Sequence, residues 1–343
     1  VLGATGLVGQ RLIALLAEHP LFRVTSVVAS DRSAGRLYRD AVQWKLPQAI
    51  PAAVGALTVE RLEATRIEPT VVFSALDASV ADEFEAQLAR DGKAVISNAK
   101  SHRMGADVPL LVPEINASHL ALIEAQRRRL GSTGFIVTNP NCSVIGLALA
   151  LAPLTGRARL SEVVVSTLQA ASGAGYPGVP SLDLIDNVIP YIGGEEDKIE
   201  TEPQKILGAA RADRIEFASI AVSAHVHRVP VADGHTLAVS ARFDRALTPS
   251  EAVEAFRAFE GVPQKLKLPS APNPVVWVLD GDDRPQPRLD RLVGGGMAVA
   301  VGKVRACPVM GLKFELLSHN TVRGAAGGTL LIAELLAAEG YLQ

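Results

Sequence analysis

A chain of 343 residues is longer than one hydrophobic core usually serves, since ~150 residues per domain is typical, so two domains are expected. With 48% hydrophobic and 20% charged residues it has ample apolar surface to bury, which excludes a disordered or low-complexity protein. Lysine and arginine number 34 against 36 aspartates and glutamates, a net charge of −2, so no global field draws the chain to nucleic acid or anionic lipid, and a small ligand is expected. Two cysteines, Cys142 and Cys307, are too few for a disulfide scaffold or a thiolate zinc site, and a reducing cytosol is the expected compartment. The longest apolar run, Val144 to Leu154, is about half of the ~20 residues a membrane span needs. The chain starts at Val1 within a predicted strand, so a few preceding residues are expected and any targeting segment there is unread.

In chain order, Val1-Leu2 enter the turn Gly3-Ala4-Thr5-Gly6-Leu7-Val8-Gly9, after which Val8, Leu12, Leu15 and Leu16 fall at helical spacing. Glycine at every third place between strand and helix lets a pyrophosphate approach the backbone, where the helix N-terminus supplies N–H donors and a positive dipole. The spacing is looser than G-x-G-x-x-G and gains its meaning from the βαβ context. The next strand, Val24 to Ala29, leads into Ser30-Asp31-Arg32-Ser33. An NAD site usually places an acid here; two hydroxyls and a guanidinium suit a 2′-phosphate instead, with Asp31 as the contrary sign. Strands at Val71 to Ala75 and Ala94 to Ser97 extend an open parallel sheet, giving a dinucleotide-binding domain over residues 1–143. Arg103 lies in a basic loop that suits a phosphate.

Thr138-Asn139-Pro140-Asn141-Cys142-Ser143 precedes an apolar helical run, which puts Cys142 in the first turn of a helix. Dipole and free N–H groups there are expected to lower the thiol pKa and make a nucleophile. Cys307 has no such setting and reads as structural. Beyond the Cys142 helix the texture becomes β-rich, with strands at Ser161 to Gln169, Phe217 to Val222, Thr236 to Phe243 and Met297 to Arg305, a second domain over 144–319. The Gly/Pro-rich segment Ser172 to Pro180 reads as a functional loop. Glu202 and Lys205 share a helix face, either in a site or as a surface pair. His225 and His227 alternate on a strand without a third ligand, so no metal is expected. Arg228 suits a carboxylate or a structural ion pair, and His235 stands at a turn entering a strand, where it can face a cleft as a base. A last helix, Gly327 to Glu339, is expected to return to the first domain, completing it with residues 320–343.

Taken in order, GATGLVG, ASDRSAG, SNAKSHRM with DVPLLVPEIN, NPNCS, QAASGAGYPG, Glu202 with Lys205, RVPVADGHT and HNTVRGAAGG resemble the aspartate-semialdehyde dehydrogenase family, in its archaeal and fungal branch. The likeness covers nearly the whole chain and implies an α/β Rossmann-type domain plus an α+β catalytic and dimerisation domain. It implies Cys142 as nucleophile, His235 as acid/base and Gln169 as the active-site glutamine. Arg228 then holds the substrate carboxylate and Glu202 the substrate amine; Arg103 holds phosphate, with Lys205 and Asn98 nearby. Gly3, Thr5, Gly6, Leu7, Val8, Ser30, Arg32, Ser33, Ser172, Gly173, Asn320 and Thr321 correspond to NADP(H) positions. Pro203, directly after Glu202, departs from the pattern and leaves the placement of Glu202 open.

The implied reaction is the reversible, NADPH-dependent reductive dephosphorylation of L-aspartyl 4-phosphate to L-aspartate 4-semialdehyde through a Cys142 thioester, in aspartate-family amino-acid biosynthesis. A homodimer or homotetramer in the cytoplasm, binding its substrate and inorganic phosphate but neither nucleic acid nor membrane, goes with it. The rival is a reductase of the same build acting on malonyl- or succinyl-coenzyme A or on N-acetyl-glutamyl phosphate. A silent NADP(H)-sensing module is a third reading, disfavoured by the presence of both nucleophile and base.

Overall fold

The computed structural model describes residues 1–342. Its first sheet is parallel and holds β1 (Val27–Val28), β2 (Val59–Glu60), β3 (Val71–Ser74), β4 (Ala94–Ser97) and β5 (Phe135–Thr138). Leu2 bridges Val28 on one side and Ser74 on the other, so the order across the sheet is β2, β1, Leu2, β3, β4, β5. Strand succession thus runs outward in both directions from Leu2, and a crevice opens at the strand ends where the order reverses. The Gly3 turn lies at that crevice. Gly9 is required there, because a Cβ at this position would stand 2.3 Å from the Gly3 carbonyl oxygen. The strand expected over Val24 to Ala29 pairs only at Val27–Val28.

The helix Leu7–Leu16 packs Leu12 and Leu16 into a core with Phe73, Ile96, Phe135 and Val137. The helix Gly327–Ala338 joins the same core through Leu331 and Leu335, and its first ten residues are all buried. A helix apolar on every side has to be surrounded, which explains why the end of the chain folds back onto its beginning.

The second sheet is mixed. It comprises β6 (Leu160–Gln169), then, after the short hairpin β7 (Ala209–Ala210) and β8 (Ile215–Glu216), β9 (Ala221–Arg228), β10 (His235–Phe243), β11 (Val276–Val278), β12 (Val299–Cys307) and β13 (Gly311–Ser318). The order is β11-β12-β13-β10-β6-β9, with β6–β9 and β11–β12 parallel and the other pairs antiparallel. The expectation of a strand at Phe217 to Val222 is corrected: the ladder runs from Ala221 to Arg228, where Ala224, Val226 and Arg228 alternate inward against Ser223 and His225. The strand β13 was not expected at all.

One face of this sheet carries the helix Cys142–Thr155, whose residues from Ser143 to Leu151 are all buried. Each such leucine contributes ~2 kcal/mol by leaving water. On the opposite face Val164, Leu168 and His225 stay exposed. Among the described residues no helix is long and apolar enough to cross a membrane.

Candidate active site

The nucleophile candidate is positioned by a cap. Asn141 precedes the helix Cys142–Thr155 and its side-chain oxygen accepts from the backbone N–H of Ser143 (2.9 Å) and Val144 (3.3 Å), which fixes Cys142 at the first helical position. His235 opens β10, paired opposite Ser318, and is fully buried. Its Nε2 lies 3.3 Å from Cys142 Sγ, while its Nδ1 accepts the Ala170 N–H at 3.0 Å. A neutral imidazole whose Nδ1 is an acceptor carries its proton on Nε2, which here faces the sulfur.

Asn141 and Cys142 border a cleft of about 410 Å³ lined also by Gln169, Gly173, Glu195, Lys198 and Arg228, and His235 meets it through its contact with Cys142 Sγ. Arg228 Nη1 donates to the Ala170 carbonyl at 2.6 Å, so the arginine and the histidine are both anchored to Ala170. Gly173 closes over them: a Cβ there would lie 2.6 Å from Arg228 Nη1 and 3.0 Å from His235 Cε1. Gln169, at the end of β6, is buried and donates to Thr167 Oγ1 and to Glu195 Oε1, each at 3.3 Å.

Two electrostatic findings differ from expectation. Burial, then the charge of Glu195, pushes the Cys142 thiol up to about 12; the cations Arg103, Lys198 and Arg228 pull it down but do not prevail. The lowered thiol pKa read from the helix terminus is therefore corrected: desolvation and the Glu195 carboxylate set the direction. His235 is held down to about 3, first by burial and then by the Arg228 guanidinium. The free site thus pairs a protonated thiol with a neutral imidazole.

The acid and lysine of the cleft are also corrected. Glu202 and Lys205 do not line it. Glu202 accepts instead from Arg103 Nη1 (2.9 Å) and from the backbone N–H of Asn141 (2.7 Å). The Lys205 ammonium is buried among the carbonyls of Arg103, Gly105 and Val108 at 2.6 to 2.8 Å, so it does not reach a phosphate.

The cleft carries instead Glu195 and Lys198, seven residues earlier on the helix Glu195–Ile206. Glu195 accepts from Lys198 Nζ (2.6 Å) and Asn141 Nδ2 (2.7 Å). Burial alone would raise its carboxyl, but the Lys198 charge and the hydrogen bonds from Lys198, Asn141 and Gln169 hold it below its ordinary value. The sequence holds the spacing E-x-x-K twice, two helical turns apart on one face. Only the earlier copy follows Gly193-Gly194 at the helix start, the one signal that favoured it.

Arg103 is buried near the site. Its Nη2 donates to the Asn98 carbonyl (2.8 Å) and its Nε has no partner. The Asn98 side chain is engaged elsewhere, bonding the Ser74 carbonyl, Asn139 and Thr329.

Along the crevice, Thr5, Gly6, Leu7 and Val8 are exposed or half-buried, and the helix beginning at Leu7 has no side-chain cap, so its first N–H groups are free for an anion. Ser30 and Arg32 are exposed in the following loop, with Ser33 half-buried there. Asn320 Nδ2 donates to Ser172 Oγ (2.8 Å), its Oδ1 accepts the Gly234 N–H (2.8 Å), and the neighbouring buried Thr321 hydroxyl is unpartnered. These donors fit a dinucleotide. Among the described residues no three His, Cys, Asp or Glu side chains gather as a metal site. His225 and His227 point from the open sheet face, where His227 Nδ1 meets the Thr167 carbonyl at 3.1 Å.

Comparison with known proteins fits this arrangement. Residues 1–123 match the model of the semialdehyde dehydrogenase NAD binding domain, and residues 151–323 that of the semialdehyde dehydrogenase dimerisation domain. The aspartate-semialdehyde dehydrogenase of Archaeoglobus fulgidus is 50% identical over 339 residues, covering 99% of this chain and 97% of the relative. The chain belongs to the aspartate-semialdehyde dehydrogenase family. The family member of Aspergillus fumigatus is 48% identical across all of this chain and 97% of its own. The crystal structure of aspartate semialdehyde dehydrogenase with NADP from Candida albicans superimposes with a TM-score of 0.91 at 42% identity, covering 99% of this chain and 98% of that one. A form II structure from Vibrio cholerae aligns at 26% identity and a TM-score of 0.77. The archaeal and fungal members of the aspartate-semialdehyde dehydrogenase family therefore resemble this chain more than that bacterial form does.

Proposed function

We propose that this chain interconverts L-aspartyl 4-phosphate and L-aspartate 4-semialdehyde with NADP(H) and inorganic phosphate, in the aspartate-derived route to lysine, threonine and methionine in the cytoplasm. The observation that carries this is the 3.3 Å contact between His235 Nε2 and the sulfur of Cys142, which lines a cleft that also presents a carboxylate and a guanidinium. An amino acid's two charges need two opposite partners: Arg228 takes the carboxylate bidentately and Glu195 the ammonium. Lys198 and Arg103 are the cations left for the phosphate. Gly3, Thr5, Gly6, Leu7 and Val8 hold the pyrophosphate of NADP, Ser30, Arg32 and Ser33 its 2′-phosphate, and Ser172, Gly173, Asn320 and Thr321 its nicotinamide end. When bound, the nicotinamide supplies or accepts the hydride.

In the reductive direction Cys142 Sγ bonds to the acyl carbon, the bond from that carbon to the phosphate oxygen breaks, and the thiol proton leaves with inorganic phosphate. A thioester remains on Cys142. The Nε2–H of His235 hydrogen-bonds the alkoxide formed on reduction, and the backbone N–H of Cys142, which the Asn141 cap leaves unused, supplies a further donor; removal of one such donor elsewhere costs ~3 kcal/mol. Collapse re-forms the carbonyl, releases the semialdehyde and returns the electron pair to sulfur, which again faces Nε2–H and then regains a proton. The dimerisation-domain match supports a homo-oligomer, and the exposed Val164 and Leu168 offer the open sheet face for it.

The test is phosphate-dependent reduction of NADP by aspartate semialdehyde, run beside NAD and with coenzyme A replacing phosphate. Activity with phosphate and NADP that disappears in Cys142→Ser is expected. Activity with coenzyme A alone would transfer the chain to the acyl-coenzyme A reductases.

A further inference from the structure

The second acid and lysine of the helix Glu195–Ile206 are more deeply buried than the first pair, with Glu202 2% and Lys205 0% exposed, yet neither enters the cleft. Burying two charges is costly and is tolerated only where every polar atom finds a partner. Here each does. Glu202 divides its oxygens between Arg103 Nη1 and the N–H of Asn141, the residue that caps the nucleophile's helix. One turn later, the three hydrogens of the Lys205 ammonium meet the carbonyls of Arg103, Gly105 and Val108. A single helical turn therefore grips Arg103 by its side chain and by its backbone, and ties both to the residue before Cys142.

This grip also decides which part of Arg103 remains for a ligand. Nη1 is held by Glu202 and Nη2 by the Asn98 carbonyl, while the buried Nε has no partner. A guanidinium fixed at two corners presents its three remaining N–H donors, one on each nitrogen, in one orientation, so it can meet an anion without first being ordered.

We propose that Glu202 is a positioning residue for phosphate: it sets the orientation of Arg103 relative to Cys142 and so governs attack of inorganic phosphate on the acyl-enzyme. This rests on the reading of Arg103 as a phosphate group. Glu202→Gln discriminates, because the amide oxygen can still accept the Asn141 N–H while the amide NH₂ cannot accept from Arg103.

The assay mixes enzyme, aspartate semialdehyde and NADP with and without phosphate. The NADPH burst without phosphate reports thioester formation, and the steady state with phosphate reports its release. In Glu202→Gln the burst rate is expected to stay within about threefold, while the KM for phosphate rises about tenfold or more and those for semialdehyde and NADP stay within about twofold. Glu202→Asp, too short to bridge both partners, is expected to show the same split. The proposal is overturned if the phosphate KM of both variants stays within about twofold of the parent, or if all three KM values rise together, as a merely structural bracket requires. If only one variant folds, its split decides. An unaltered protein with no phosphate-dependent turnover would instead refute the activity itself.

Discussion

The ionisation of Cys142 yields a quantitative expectation. Its thiol stands at about 12 against an ordinary 9.0, and at ~1.36 kcal/mol per pH unit the fold disfavours the thiolate by about 4 kcal/mol. At about pH 8 roughly one molecule in ten thousand carries the thiolate, against about one in ten for an unperturbed thiol, so alkylation is expected about a thousandfold slower than for a model peptide. The assay uses iodoacetamide on a Cys307→Ser variant, leaving one thiol to report, with modification followed by mass spectrometry. The rate is expected to climb roughly tenfold per pH unit without levelling up to about pH 10. Glu195→Gln removes the second-largest cause of the raised value and should accelerate modification throughout that range. A plateau between about pH 6 and pH 9 would reveal a thiolate–imidazolium pair and refute both the neutral pairing and its electrostatic origin.

Acid should destabilise the fold through two buried imidazoles, because burial holds His235 down to about 3 and His319 to about 4 from an ordinary 6.5. The unfolded chain binds these protons first, so stability is full above about 6.5 and falls below it, by about 2 kcal/mol per histidine between about pH 8 and pH 5. Urea midpoints should show this, and His319→Asn should remove about half; a loss that starts only below about pH 4 contradicts the assignment. Gly173→Ala inserts a methyl against Arg228 and His235 and should lower kcat/KM at least about tenfold with little change in melting temperature; unchanged kinetics would mean that the loop moves freely. Arg32→Ala should raise the KM for NADP at least about tenfold and leave that for NAD nearly unaltered, and equal effects on both would place the 2′-phosphate elsewhere.

Some of this was legible because it is local. The glycine-spaced turn at Gly3, the helix that starts at Cys142 and the strand over Thr236 to Phe243 depend on neighbours in sequence, and those elements formed where expected. What pairs across the chain was not legible. A period of seven puts Glu195 and Glu202 on one face, and only the packing of that helix decides that the first meets the cleft while the second meets Arg103. The Cys142 thiol was misjudged for the same reason, since the dipole belongs to its own helix whereas the opposing carboxylate of Glu195 arrives from another. The strand β13 was legible in principle, because Leu312, Phe314 and Leu316 alternate with Lys313 and Glu315 at the period of a half-buried strand.

The joint core of the helices Leu7–Leu16 and Gly327–Ala338 bears on how the protein is made. During translation the Rossmann segment emerges first, but the partner that fills its apolar groove is synthesised roughly three hundred residues later. The nascent nucleotide-binding unit must therefore wait, greasy and incomplete, until the ribosome has nearly finished. Premature stop codons anywhere before Gly327 should leave a chaperone-dependent, insoluble fragment rather than an autonomous cofactor-binding module.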